Sequence, residues 1–443
     1  MRLLTCIFVS MTTAWSAWAM SSQPQAKTEL KPEVITIFFT GNTLGQLKPC
    51  GCSGGQLGGF DKRQGIFNTA EKSKRLIVDT GLLIEQNSEQ DLIKFNILFQ
   101  AFELLDYDLI SLTKDDVKTA RNLGLLQAVE DTPKIISYQF CLADANLPAK
   151  FKKQFSLKGK KIDVTIAAFS AESKPLEKIK ELFEPASGRQ KVNILILDRC
   201  NGDIISSIAK LEVVDCLVCP AEFDEAEVIS RHNESPMVFS TGRYGKYVGK
   251  LQIASNASGK LNFDFAGVPV SENLPQQTSL VQLYEFYQQL VKEANLLEKQ
   301  SRFPLQEGLK YVGSKSCKAC HNYEYNKWSV KPHAKAYQTL VNVGSQFDPE
   351  CVVCHVIGME YDGGFISEKK TPDLKNVGCE NCHGPGSEHI ESGGVKPTAE
   401  PKFDCIQCHT TEHSAEYAGN EKLYFEKIIH WREPNTADNV NNK

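Results

Sequence analysis

The chain has 443 residues, enough for two or three domains. Its hydrophobic fraction of 41 % and charged fraction of 23 % are ordinary for soluble globular protein. The net charge of −4 offers no basic footprint and argues against a nucleic-acid partner.

Arg2 starts the chain with a positive charge, residues 3–17 are mostly apolar, and Ala17-Trp18-Ala19 offers a small-x-small cleavage site. This reads as a secretory signal peptide over residues 1–19. The apolar run is shorter than the roughly 20 residues that a membrane span needs. Cys6 lies too early in it to be a lipoprotein cysteine. No second run of spanning length follows, so the expected mature protein is periplasmic or extracellular, with no transmembrane anchor. Residues 20–32 are polar and read as a flexible leader.

Residues 34–40 (VITIFFT) are β-branched and aromatic, which predicts a buried strand. A glycine-rich loop follows over 41–59 and holds Cys50-Gly51-Cys52. Further strands are predicted at 76–81, 107–112, 162–169, 192–197, 213–218, 237–241 and 247–253, and helices at 90–105 and 204–211. The run at 192–197 is continuously apolar, as a strand buried on both faces requires. Strands alternating with helices over 33–270 predict an α/β domain. The lysine and arginine runs at 72–75 and 150–161 read as solvated faces. The paired glycines of the first loop lack the Gly-Lys-Ser/Thr ending of a phosphate loop and read as turns. Residues 276–300 have helical apolar spacing, and 271–310 is the expected connecting helix. From residue 311 strand-like runs disappear, which predicts a mainly α, loop-rich domain over 311–443.

That last part carries four copies of one pattern: Cys317-Lys-Ala-Cys320-His321, Cys351-Val-Val-Cys354-His355, Cys379-Glu-Asn-Cys382-His383 and Cys405-Ile-Gln-Cys408-His409. Cys-x-x-Cys-His is the attachment signature of c-type haem. Two thiols three positions apart each form a thioether to one porphyrin, and the next residue sets an imidazole on the iron. Paired Cys-x-x-Cys units also suit zinc ribbons, but zinc requires no histidine after each pair. Four covalently bound haem c groups are therefore expected. Cys216-Leu-Val-Cys219 is followed by Pro220 and serves as an internal control without haem. Porphyrins supply buried apolar surface, so such a domain needs little apolar core of its own.

Eight of the nine histidines lie in this part. Four follow the motifs, and His333, His389, His413 and His430 are left over as candidate distal ligands. Two imidazoles per iron leave no open position, which suits electron relay. For His413, four residues past His409, two readings stand. It is the fourth distal ligand, or it is an exposed histidine and one iron is five-coordinate.

Residues 311–435 resemble tetrahaem cytochromes of the c-554 type. The resemblance rests on Tyr311-Val-Gly-Ser-Lys-Ser-Cys317, Trp328-Ser-Val-Lys-Pro-His333, Gly378-Cys379-Glu-Asn-Cys-His-Gly-Pro-Gly-Ser-Glu-His389 and Phe425-Glu-Lys-Ile-Ile-His430. It implies closely stacked haems, mostly with two histidine ligands, that pass electrons. Residues 33–270 resemble the metallophosphoesterase domain of 5′-nucleotidases, chiefly through Ser235-Pro-Met-Val-Phe-Ser-Thr-Gly242-Arg-Tyr-Gly-Lys-Tyr-Val-Gly249, with residues 40–49 and 58–63 also matching. That implies a layered α/β sandwich. The family's metal positions read Asn42, Leu44, Leu82, Thr113-Lys114-Asp115, Arg199, Ala221 and Phe223 here. Without carboxylates and imidazoles no two-metal site activates water, so phosphoesterase activity is not expected.

Six cysteines remain outside the leader and the motifs: Cys50, Cys52, Cys141, Cys200, Cys216 and Cys219. In an exported domain they read as disulfides. A thiolate metal site is the alternative for Cys50, Cys52, Cys200 and Cys219, which lie beside the replaced metal positions. Cys141 also reads as a simple buried residue. Residues 305–443 carry 15 Lys plus Arg against 19 Asp plus Glu, a balance that suits a redox partner with a basic patch. The expectation is thus an exported tetrahaem cytochrome that relays electrons between partner proteins, with an inactive phosphoesterase-like domain as scaffold or docking module and no catalytic residues. The alternative is a multihaem oxidoreductase acting on a small nitrogen or sulfur compound at a five-coordinate haem.

Overall fold

The computed structural model describes residues 33–49, 54–126, 134–137, 147–172, 175–183, 190–230, 236–401, 404–410, 413–414 and 416–431. The expected signal peptide and leader, and Cys50, Cys52 and Cys141, lie outside these residues. Two six-stranded sheets carry the first part. One runs β12-β11-β1-β2-β3-β4 and the other β5-β6-β7-β8-β10-β9. The strands are β1 Val34–Thr40, β2 Arg75–Asp79, β3 Leu109–Leu112, β4 Lys134–Ser137, β5 Lys150–Leu157, β6 Lys160–Phe169, β7 Gln190–Leu197, β8 Cys216–Cys219, β9 Val228–Ser230, β10 Met237–Ser240, β11 Tyr247–Ser255 and β12 Leu261–Pro269. The first sheet is antiparallel across β12, β11 and β1 and parallel from β1 to β4, whereas the second has a parallel centre and two antiparallel edges. The alternation seen in the sequence thus becomes an α/β layered sandwich.

The period-2 rule explains the continuous apolar runs. Ile35, Ile37 and Phe39 of β1 point between the sheets, together with Val164, Ile166 and Phe239. Phe38 points the other way, into a second core under helices α2 (Glu89–Leu104) and α5 (Thr278–Ala294). The second sheet does the same, with Phe169 and Leu217 packing near α4 (Gly202–Ala209). Both faces of each sheet are covered, so both faces are apolar.

Three local outcomes differ from simple pattern reading. The lysine-rich stretch after residue 150 forms the β5–β6 hairpin at a sheet edge, where exposed lysines discourage edge-to-edge pairing. Helix α3 (Lys114–Asn122) follows β3; Thr113 and Asp116 close a capping box at its start. The long helix expected over 276–300 ends at Asn295, whose φ of 52° is left-handed, and a short turn α6 (Leu296–Lys299) follows. Helix α5 also buries Leu283, Tyr287 and Val291 in the core it shares with α2.

The C-terminal part is made of short helices: α7 Ser314–Cys317, α8 Asn322–Ser329, α9 Ala336–Val343, α10 Pro349–Val352, α11 Cys379–His383, α12 Ser387–Glu391 and α13 Glu421–Ile428. Its apolar core is small and centres on Tyr337, Val352, Val356, Ile357 and Phe365. Among the described residues no helix is long and apolar enough to cross a membrane.

Candidate haem-binding site

Each Cys-x-x-Cys-His motif is itself a helical turn. In the first and fourth, the histidine N–H donates to the carbonyl of the first cysteine, at 2.9 Å for His321 on Cys317 and 2.8 Å for His409 on Cys405. The third is α11, and the second is α10 continued by a 3-10 turn over Val353–His355. In such a turn positions i and i+3 share a face, so both thiols of a motif face one side. The control pair behaves differently. Along β8, Cys216 points between the sheets and Cys219 points to the opposite face. Cys219 is moreover bonded to Cys200, with Cα atoms 5.7 Å apart. For this pair the structure selects the disulfide over the thiolate metal site, and Cys216 is a buried thiol.

Three of the leftover histidines face motif histidines, and the fourth lies near one. His389, on α12, faces His321 with ring centres 5.9 Å apart. His333, in a turn over Pro332–Lys335, faces His409 at 6.3 Å. His430, just past α13, faces His383 at 6.4 Å. His413 stands beside His355, whose pKa is held below the usual imidazole value by burial first and by the His413 charge as well. Two imidazoles on opposite sides of one metal, each bonded at about 2 Å, place their ring centres about 6.3 Å apart. The three spacings fit that arrangement. The angle between the two rings is free, since each rotates about its own metal–nitrogen axis.

The outer nitrogens are held too. The Nδ1–H of His355 donates to the Ala336 carbonyl at 2.6 Å, that of His389 to Lys396 at 2.7 Å, and that of His430 to Ile428 at 2.9 Å. A carbonyl only accepts, so Nδ1 carries the proton and Nε2 offers its lone pair outward, the tautomer a metal takes. His409 and His413 pair through Nδ1 with the hydroxyls of Ser414 and Thr410. Burial also lowers the pKa of His333, His383 and His409, which favours the neutral, ligating form.

Side chains inside and between the motifs fasten them to one another, and pattern reading had missed these. Glu380, in the second position of the third motif, is buried and accepts backbone N–H groups from Val312, Gly313 and Gly386. Its neighbour Asn381 donates to the Val356 carbonyl, just after the second motif. Trp328 donates to Val377 and so joins the first motif's helix α8 to the approach of the third. Tyr417 stacks on His409 at 5.2 Å. The one cue in the sequence was a carboxylate and an amide lodged inside a motif.

The thiols indicate which sites adjoin. Cys317 and Cys379 are neighbours, as are Cys354 and Cys408. Cys382 lies near Cys405. The neighbours therefore run one, three, four, two.

The strand ends of the α/β part hold a different network. Arg63, fully buried, donates to the Tyr107 hydroxyl at 3.3 Å; Tyr107 lies 2.9 Å from Thr40 Oγ1, which donates to Asp79 at 2.6 Å. The Arg63 head packs against Gly245, where φ is 61° and a Cβ would collide with it. Asn42 donates to Thr241 and Gly242. Leu82 and Phe223 are exposed. No group of three or more His, Cys, Asp and Glu side chains with metal-binding geometry occurs among the described residues.

Burial raises the Asp79 carboxyl from 3.8 to about 6, against the pull of Thr40, Gly81 and Arg63. Its folded pKa lies above its unfolded one, so its contribution is greatest below about pH 4 and is lost as pH rises through about 6. Asp79→Asn removes this dependence. Urea titrations at pH 4 and pH 7.5 are expected to show the stability difference between variant and wild type moving by about 2 kcal/mol in the variant's favour at the higher pH. A difference that is constant with pH would refute the assignment.

Residues 316–384 match the family described as cytochrome c554 and c-prime. Cytochrome c-554 of Nitrosomonas europaea is 35 % identical over 102 residues, a match covering 19 % of this chain and 43 % of that protein. The chain thus spans less than half the length of the curated relative it matches. Solved structures similar to it include a calcineurin-like phosphoesterase of Bacillus subtilis (TM-score 0.44, 13 % identity, 58 % of this chain and 98 % of that one). Others are a 5′-nucleotidase of Staphylococcus aureus (0.45, 11 %, 70 % and 66 %) and one of Thermus thermophilus (0.41, 13 %, 71 % and 68 %).

Proposed function

We propose that the protein is an exported tetrahaem c-type cytochrome that relays electrons between redox partner proteins. The observation that carries this reading is the facing of three motif histidines by three further histidines at 5.9, 6.3 and 6.4 Å, with His413 near the fourth, His355. Cys317, Cys320, Cys351, Cys354, Cys379, Cys382, Cys405 and Cys408 would hold four haem c groups. His321 with His389, His355 with His413, His383 with His430 and His409 with His333 would supply the axial ligands.

The residues present fit such groups. Three histidine pairs stand at the right ring spacing, and Val330, Val395, Ile406 and Leu423 expose apolar surface in a part with little core. Bound haem supplies a one-electron couple, and two imidazoles per iron keep small molecules off it. The chain's own contribution is to orient His355, His389 and His430 through carbonyl partners and His409 and His413 through hydroxyl partners. The order one, three, four, two offers a continuous path.

The α/β part, over about 33–270, is read as catalytically inactive and as a scaffold or docking module. In support, Asn42 is engaged in hydrogen bonds, Leu82 and Phe223 are hydrocarbon, and the buried Arg63 guanidinium opposes cations near the strand ends. Residues 1–19 are read as a cleaved signal, which agrees with haem attachment outside the cytoplasm.

Low-temperature EPR of the oxidised protein, with haem quantified on the same sample, tests the reading. Four haems, all low-spin, are expected. Any other haem count would overturn it, and one high-spin haem in four would favour an oxidoreductase with an open iron.

A further inference from the structure

The second motif differs from the other three in where it sits. Its helix α10 starts at Asp348, whose carboxylate is buried and accepts the Glu350 N–H at 3.0 Å. The same carboxylate accepts Gln90 Nε2 of α2 at 2.8 Å and the Tyr287 hydroxyl of α5 at 2.8 Å. The next acid, Glu350, immediately precedes Cys351 and receives Lys94 Nζ of α2 on both oxygens, at 2.5 and 2.6 Å. Lys94 is 4 % exposed, a buried cation brought to this motif by the α/β layers. At Cys351 the charges of Asp348 and Glu350 and that of Lys94 act in opposite directions.

We propose that the α/β part sets the reduction potential of the haem at Cys351–His355, through Lys94 and Glu350 acting as positioning and tuning groups beside the attachment cysteine. The inference rests on the four-haem reading. Reduction adds one negative charge to the haem, with no bond broken and no proton moved. A nearby cation therefore favours the reduced form and a nearby anion disfavours it, and partial burial strengthens both. Because the second site ends the order one, three, four, two, its potential decides whether electrons rest there or pass on. The α/β layers would then act on the relay directly, beyond holding it.

The test is a spectroelectrochemical titration of the full-length haem-loaded protein and three variants. Lys94→Met is expected to lower one of the four potentials and Glu350→Gln to raise the same one, with the other three steady. The double variant should return close to wild type. Opposite signs separate charge from mere disturbance of packing, and Glu350 is half exposed and tolerates the change. The haem that moves should be the one that turns high-spin in His413→Ala. Four steady potentials, or shifts of the same sign in both single variants, would overturn the inference and leave the relay reading standing. A wild-type haem count other than four would remove the relay reading itself, and this inference with it.

Discussion

Replacing His413 by alanine is expected to convert one of four low-spin haems to a high-spin form, leaving the other three unchanged. His413 lies four residues past His409, so position in the chain assigns it to the fourth motif. In the fold it lies near His355 of the second. His333 already faces His409 at 6.3 Å, and His413 stands at His355, whose outer nitrogen is committed to the Ala336 carbonyl. Removing the imidazole opens one coordination position, which EPR reports as a high-spin signal from about a quarter of the iron. Methionine at the same place is expected to restore the low-spin state and raise that haem's potential, because a thioether ligand favours reduced iron. Four low-spin haems in the alanine variant would show that another residue serves the second iron.

Asp348→Ala is expected to destabilise the protein by about 3–5 kcal/mol. The carboxylate caps α10, worth about 1 kcal/mol, and its loss unpairs two buried donors at about 1–2 kcal/mol each, the lower part of the usual range because Gln90 Nε2 keeps its bond to the Tyr287 hydroxyl. Those donors belong to Gln90 and Tyr287, on two helices of the α/β part. The damage therefore falls on the seam between that part and the second motif. Urea titration followed by both far-ultraviolet circular dichroism and the haem Soret band would measure it. A loss under about 1 kcal/mol would show that the contact is dispensable. Asp348→Asn keeps one acceptor oxygen and should lie between alanine and wild type.

Parts of this architecture were legible before the fold was known, for identifiable reasons. The β1 run VITIFFT is apolar at every position because both faces of its sheet are covered, and its bounds, Val34–Thr40, agree with expectation. The β5 strand was not legible, because lysines on the open side of an edge strand look like any solvated run. The β12 strand escaped for a similar reason: it alternates exposed and half-buried residues at a sheet edge, so little of it reads as core. The Cys216 and Cys219 pair could be set aside as a haem site from Pro220 alone. Their placement on opposite faces of β8 follows only once that segment is known to be extended.

What the amino-acid order determined by itself was local: four Cys-x-x-Cys-His turns, each with two thiols and an imidazole, and the change from alternating strands to short helices. Each depends on neighbours in the chain, through covalent spacing or side-chain period. The tertiary structure alone decided which spare histidine faces which motif, which attachment sites adjoin, and that Lys94 and Asp348 join the α/β layers to the second site. These depend on where distant segments meet, and hydrophobic burial and backbone path set that across the whole chain. A histidine four residues from one motif can therefore lie beside another.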